Sequence, residues 1–176
     1  PAILLLHGIG ASHDTWRLIQ EELARDHTVI AVDLPGFGAS SKNPRHDYGL
    51  DGQAEVLTEF LMELGFEQAT LVGSSMGGLI ALWMGLRFPD KYLDIIALSP
   101  PLSSKLLPFN PRRISALARP LNALVNERFV GRVLNRVIYN KEIIDREMID
   151  RYTHPYMDDG SSARAFVLAT KVITDK

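Results

Sequence analysis

The stretch Ala69-Thr70-Leu71-Val72-Gly73-Ser74-Ser75-Met76-Gly77-Gly78-Leu79-Ile80-Ala81-Leu82-Trp83-Met84 decides the fold. Its opening is a short apolar run that reads as a buried strand, its close is an apolar helix, and between them stands G-x-S-x-G. A serine on so sharp a strand-to-helix turn is held in a strained backbone conformation that lifts its hydroxyl above the sheet edge. Small neighbours at Gly73 and Gly77 let strand and helix approach without colliding. Of the two adjacent serines only Ser75 is in register, so Ser75 is the candidate nucleophile and Ser74 a bystander. The competing reading, a glycine-rich turn that merely lets the helix pack closely, uses the same glycines.

Outward from this motif, apolar strands alternate with amphipathic helices. The pattern predicts strands over 2–6, 28–33, 69–74 and 93–98, and helices over 14–25, 51–64 and 76–87. Continuous apolar strands joined by helices mean an α/β fold, a mostly parallel sheet covered by helices on both faces. Beyond Ser99 the character changes. Residues 1–99 hold 11 of the 13 glycines and carry 6 basic and 13 acidic side chains, net −7, whereas 100–176 carry 13 and 8, net +5. Pro100, Pro101, Pro108, Pro111 and Pro120 mark the connection into the second part. Helical periodicity then returns at Phe129, Val130, Val133, Leu134, Val137 and Ile138, with Arg128, Arg132 and Arg136 on a face read as solvated. The expected division is a core over 1–99 and a helical region over 100–176.

Composition narrows the function classes. The 176 residues are 46% hydrophobic and 23% charged, with net charge −2 and no cysteine. A disordered tail, a collagen-like repeat and a disulfide-stapled miniprotein are excluded. Near-neutral charge gives no reason to expect nucleic acid or an anionic membrane as partner. No uncharged apolar run reaches the length of a membrane span. The absence of cysteine fits a reducing compartment, hence an expected cytoplasmic location. Pro1 opens directly into a buried strand, and the periodic segment 163–176 stops without a cap, so a fragment is expected, with any signal peptide out of sight.

Two further elements bear on chemistry. His7-Gly8-Ile9-Gly10 follows the first strand. Acyl transfer develops negative charge on a carbonyl oxygen, best met by two fixed backbone donors. One candidate is the amide of Met76, after the nucleophile and at a helix N-terminus. The other is the amide of Ile9, while His7 is read as structural, orienting the loop. Asp33-Leu34-Pro35-Gly36-Phe37-Gly38-Ala39-Ser40 reads by itself as a Pro/Gly turn behind a strand-terminal aspartate. The five histidines show no metal-ligand spacing, and Gly36-Phe37-Gly38 lacks the lysine of a phosphate loop, so no metal and no cofactor are expected. Gly8-x-Gly10 with Asp33 25 positions after Gly8 mimics a dinucleotide fingerprint, but His13 stands where the third glycine belongs.

Together these elements resemble the α/β-hydrolase fold family, in the serine-nucleophile branch with a helical cap. His7 to Gly10 is similar to its oxyanion loop, Asp33 to Ser40 to its D-x-P-G-x-G-x-S turn, and Gly73 to Gly78 to its nucleophile elbow, in the family's order. The resemblance is close over 1–99 and only in kind over 100–176. It implies a partial core lacking the first two and last two strands, with the strands present side by side in the order second, first, third, fourth. The sheet would then have raw apolar edges, and the chain alone would be poorly soluble. A serine at position 75 points away from haloalkane dehalogenases and epoxide hydrolases, which use aspartate there, and toward hydrolases of esters, thioesters, amides or activated carbon–carbon bonds of a small, partly apolar substrate. The resemblance also places the triad acid and histidine beyond Lys176. Within the chain, His154 with Asp90, Asp94, Asp145 or Asp150 is the remaining possibility. Leu106, Leu107, Phe109, Leu117, Leu121, Leu124, Val125 and Phe129 would roof a pocket. A non-catalytic ligand-binding member of the fold is the alternative, and oligomeric state, substrate and leaving group stay open.

Overall fold

A computed structural model describes residues 1–102, 125–157 and 160–174. Among them the chain forms strand β1 (Ala2–Leu6), a one-turn 3-10 helix (His13–Trp16), helix α1 (Arg17–Leu23), β2 (Thr28–Val32), α2 (Leu50–Glu63), β3 (Ala69–Ser74), α3 (Met76–Arg87) and β4 (Tyr92–Leu98). Helices α4 (Glu127–Val137), α5 (Arg146–Thr153), α6 (Ser161–Ala169) and α7 (Lys171–Thr174) follow. The four strands are parallel, in the order β2-β1-β3-β4, as the resemblance implied.

The register explains where the site must lie. Leu6 pairs with both Val32 and Gly73, so the loops leaving β1, β2 and β3 emerge together at one end of the sheet. In open α/β sheets, the crevice outside the strands' carboxyl ends is where ligands bind. Central β1 is buried on both faces, with Ala2, Leu4, Leu5 and Leu6 fully inaccessible. Outer strand β4 is different: Leu93, Ile96 and Leu98 keep about half their surface exposed.

Local chemistry sets the helices. In α2, Ala54, Leu57 and Leu61 recur at helical spacing and bury one face. The helix ends where Gly65 takes φ +81°, with Phe66 N–H donating to the Leu61 carbonyl and Gly65 N–H to that of Met62. That pair of bonds is a Schellman cap, closed by Phe66 packing back on the core. Helix α5 begins with the Asp145 carboxylate accepting from Met148 N–H at 2.6 Å, and α4 with Asn126 accepting from Phe129 N–H at 3.0 Å.

The expected helix over 14–25 divides into the 3-10 turn and the shorter α1. Asp33 captures the His13 amide and Trp16 is drawn into the interior, so the first turn winds tightly before an ordinary helix begins at Arg17. The second strand stops at Val32, one residue early, because Asp33 is already part of the turn.

Apolar packing gathers in two clusters. The larger joins Leu4, Leu6, Leu71, Met76, Ile80 and Met84 to Ala165, Ala169, Val172 and Ile173, so α6 and α7 close on the same core as the sheet. The smaller holds Val130, Leu134 and Met148, with Val125 against it. Arg128, Arg132 and Arg136 are exposed on α4. Leu106, Leu107, Phe109, Leu117, Leu121 and Leu124 lie outside the described residues, as do Pro108, Pro111 and Pro120. Among the described residues no helix is long and apolar enough to cross a membrane.

Candidate active site

Ser75 sits between β3 and α3 with φ 53° and ψ −118°, a conformation that L-residues adopt only when their surroundings impose it. Two backbone bonds impose it. The Ser75 amide donates to the Leu98 carbonyl of β4 at 2.8 Å, and its carbonyl accepts from Leu79 N–H at 3.1 Å, the first bond of the helix. Its glycine neighbours have no room for a side chain. A methyl at Gly73 would overlap the Gly77 carbonyl, and one at Gly77 would overlap the Leu6 and His7 carbonyls. The side chain of Ser75 is half-buried.

The loop after β1 lies alongside. A Cβ at Gly8 would stand 3.2 Å from Ser75 Cβ and 3.8 Å from its Oγ. Gly8 to Ala11 form a tight turn closed by Ala11 N–H donating to the Gly8 carbonyl at 3.2 Å, and Gly10 supplies the φ of +75° the turn needs. Among the described residues no backbone carbonyl accepts from the Ile9 amide. Met76 is the first residue of α3, where an N–H has no partner within the helix. The outer side of the turn meets α6: a Cβ at Gly10 would lie 3.2 Å from Phe166 and 3.4 Å from the Tyr156 hydroxyl.

His7 is fully buried and both ring nitrogens are engaged. Nε2 accepts from Leu34 N–H at 3.0 Å, which requires the proton on Nδ1, where it is donated to the Gly8 carbonyl at 2.7 Å. Burial pushes its pKa down to about 4, so the ring is neutral and acts as a strut.

Sequence reasoning gave Asp33 a plain turn role and His13 none. The structure brings the two together. Asp33 Oδ1 accepts from His13 N–H at 2.7 Å and from His13 Nδ1 at 2.9 Å, and Oδ2 accepts from Ala39 N–H at 2.8 Å. Burial raises the carboxyl's pKa, but these hydrogen bonds outweigh it and hold the group below its ordinary value. A strand-terminal aspartate ahead of Pro-Gly was the one available signal, and it named no partner. The carboxylate is spent inside the loops, which removes the ribose-binding role that a dinucleotide site would require of it.

The remaining candidates are not assembled. His154 is exposed in a 3-10 turn (His154–Tyr156), and among the described residues no carboxylate bonds its ring. Asp145 is occupied capping α5. No group of three or more His, Asp or Glu able to hold a metal occurs among the described residues.

A family model for the alpha/beta hydrolase fold matches residues 1–156. The chain belongs to the α/β-hydrolase family. Among curated members, it is 32% identical over 162 residues to the uncharacterized hydrolase YugF of Bacillus subtilis (strain 168), covering 89% of this chain and 59% of that one. It is also 38% identical over 102 residues to a fluoroacetate dehalogenase of Burkholderia sp, covering 56% and 34%. Among solved structures, the 2-hydroxy-6-oxo-6-phenylhexa-2,4-dienoate hydrolase of Rhodococcus sp. strain RHA1 superimposes with a TM-score of 0.79 over 99% of this chain and 65% of that one, at 22% identity, a likeness of fold. The chain spans less than two thirds of the length of each.

Proposed function

We propose that the protein is a serine hydrolase that transfers an acyl group from a small, partly apolar substrate to water through Ser75. The observation that carries this reading is the strained, positive-φ backbone of Ser75 at a strand-to-helix junction, beside a glycine loop. In the acylation step the Ser75 Oγ–carbon bond forms while the bond to the leaving group breaks, and the hydroxyl proton passes through a base to that group. The amides of Ile9 and Met76 hold the carbonyl oxygen as it becomes negative, a contribution on the order of 3 kcal/mol per donor. Water then repeats the sequence on the acyl-enzyme.

Base and orienting carboxylate are assigned outside these residues, since the exposed His154 has no carboxylate partner among the described ones. The susceptible bond is an ester, a thioester, an amide or an activated carbon–carbon bond. One relative is a dehalogenase, but the chemistry at Ser75 favours acyl transfer. Displacement of a halide by a serine hydroxyl leaves an alkyl ether that water does not cleave, whereas a carboxylate nucleophile leaves a hydrolysable ester. Val125 and Phe129 belong to the proposed cap over the pocket.

The test is labelling of the full-length protein with a fluorophosphonate, read by peptide mass spectrometry. Modification at Ser75 that disappears in Ser75→Ala is expected. An unlabelled wild type, or equal labelling of the variant, would end the assignment.

A further inference from the structure

We infer that His13 and Asp33 form the second of two anchors that fix the loop carrying the Ile9 amide, making His13 a positioning residue for the oxyanion site. The inference rests on the acyl-transfer reading above. The loop leaves β1 at Leu6 and enters the 3-10 turn at His13. Its upstream end is held by the His7 ring, pinned between Leu34 N–H and the Gly8 carbonyl. Its downstream end is held by Asp33, which takes both the backbone N–H and the ring Nδ1 of His13. Both anchors thus converge on two consecutive residues, 33 and 34, at the end of a single strand already paired with β1. Residues 8–12 have little freedom left.

The Asp33 side chain is 8% exposed and built in from every side. Ala39 N–H occupies Oδ2, the Ser40 hydroxyl donates to the Asp33 carbonyl at 2.5 Å, and a side chain at Gly38 would overlap the carboxylate. The His13 ring, by contrast, is 52% exposed, with the Asp14 carboxylate 3.9 Å away and Arg151 of α5 in turn 3.9 Å from Asp14. Hydrophobic packing does not explain an imidazole in that place, and it can be removed without opening a cavity. A hydrogen bond to an ionised carboxylate is the stronger kind, suited to holding a loop end. Oxyanion donors work only within a few tenths of an ångström of their target, so a loosened loop lowers turnover and leaves ground-state binding alone.

The test compares His13→Ala and His13→Asn with wild type in the full-length protein, using p-nitrophenyl butyrate as substrate. His13→Ala is expected to lower kcat about tenfold with KM within about twofold, and to slow fluorophosphonate labelling of Ser75 in parallel. His13→Asn, whose side-chain nitrogen takes the place of Nδ1, restores most of the loss. Hydrogen exchange at residues 8–12 reads the anchor without reference to turnover. Faster exchange in His13→Ala, reversed in His13→Asn, upholds it, and unchanged exchange or wild-type kcat in His13→Ala overturns it. Turnover that survives Ser75→Ala would instead retire the acyl-transfer reading and, with it, the catalytic part of this inference.

Discussion

The Leu34 amide donates to Nε2 of the buried His7 at 3.0 Å, which fixes the ring as an acceptor on that side and a donor to the Gly8 carbonyl on the other. Protonation would place a second N–H against an amide that can only donate. The ring therefore stays neutral in the folded chain down to a pH of about 4, while in the unfolded chain it takes up its proton near 6.5.

The consequence is a defined loss of stability in acid. Between these two values unfolding binds a proton, so stability falls as pH drops from 6.5 toward 4 and is kept in full above 6.5. His7→Leu removes this dependence, but leaves a buried amide and a buried carbonyl unpaired, costing about 3 kcal/mol at pH 7. Urea unfolding of both proteins should show that gap narrowing by about 2 kcal/mol at pH 5, other titrations cancelling in the comparison. A gap that does not change with pH would contradict the neutral, doubly bonded ring.

Strain at the elbow is a second measurable quantity. Ser75→Ala keeps a Cβ in the positive-φ conformation, whereas Ser75→Gly releases it. Both abolish the proposed acylation, yet Ser75→Gly should be the more stable by about 1 kcal/mol, the strain relieved exceeding the entropy that glycine adds to the unfolded chain. Denaturant midpoints decide it, and a more stable Ser75→Ala would mean that the turn stores no strain.

Two glycines separate backbone conformation from close approach. Gly65 has φ +81° and open space around its missing side chain, so Gly65→Ala should cost about 1 kcal/mol. Gly77 has no positive φ, but its missing methyl would overlap the Leu6 and His7 carbonyls, so Gly77→Ala should cost more than about 3 kcal/mol or prevent accumulation of folded protein. Thermal unfolding giving equal losses would disprove the close packing of helix on strand.

Much of this was legible in the sequence, for identifiable reasons. Strands buried on both faces announce themselves as unbroken apolar runs, so β1 and β3 match the expected limits, and G-x-S-x-G placed the turn to the residue. Strand order came only through the family resemblance, because an apolar run says nothing about its neighbour. The His13–Asp33 pair was invisible, being a contact across 20 residues between two ordinary polar side chains. The docking of α6 was equally hidden. It buries Ser162, Ala163, Ala165, Val167 and Ala169, and the value of the three alanines lies in how closely they admit another backbone.

That close approach gives the last prediction. Ala165 is 1% exposed and its Cβ would lie 2.9 Å from a Cβ placed on Gly36, so the helix surface and the Asp33-to-Ser40 turn meet with nothing between them. Ala165→Leu has no space to fill and must push α6 away from the core, at a cost of about 1–3 kcal/mol. Val133→Ala, on the half-exposed side of α4, should fall within about 0.5 kcal/mol of wild type. If α6 is part of the core, urea unfolding will separate the two variants clearly, and limited proteolysis will cut near residue 160 sooner in Ala165→Leu. Indistinguishable midpoints together with unchanged cleavage would mean that residues 161–173 contribute nothing to the core they touch.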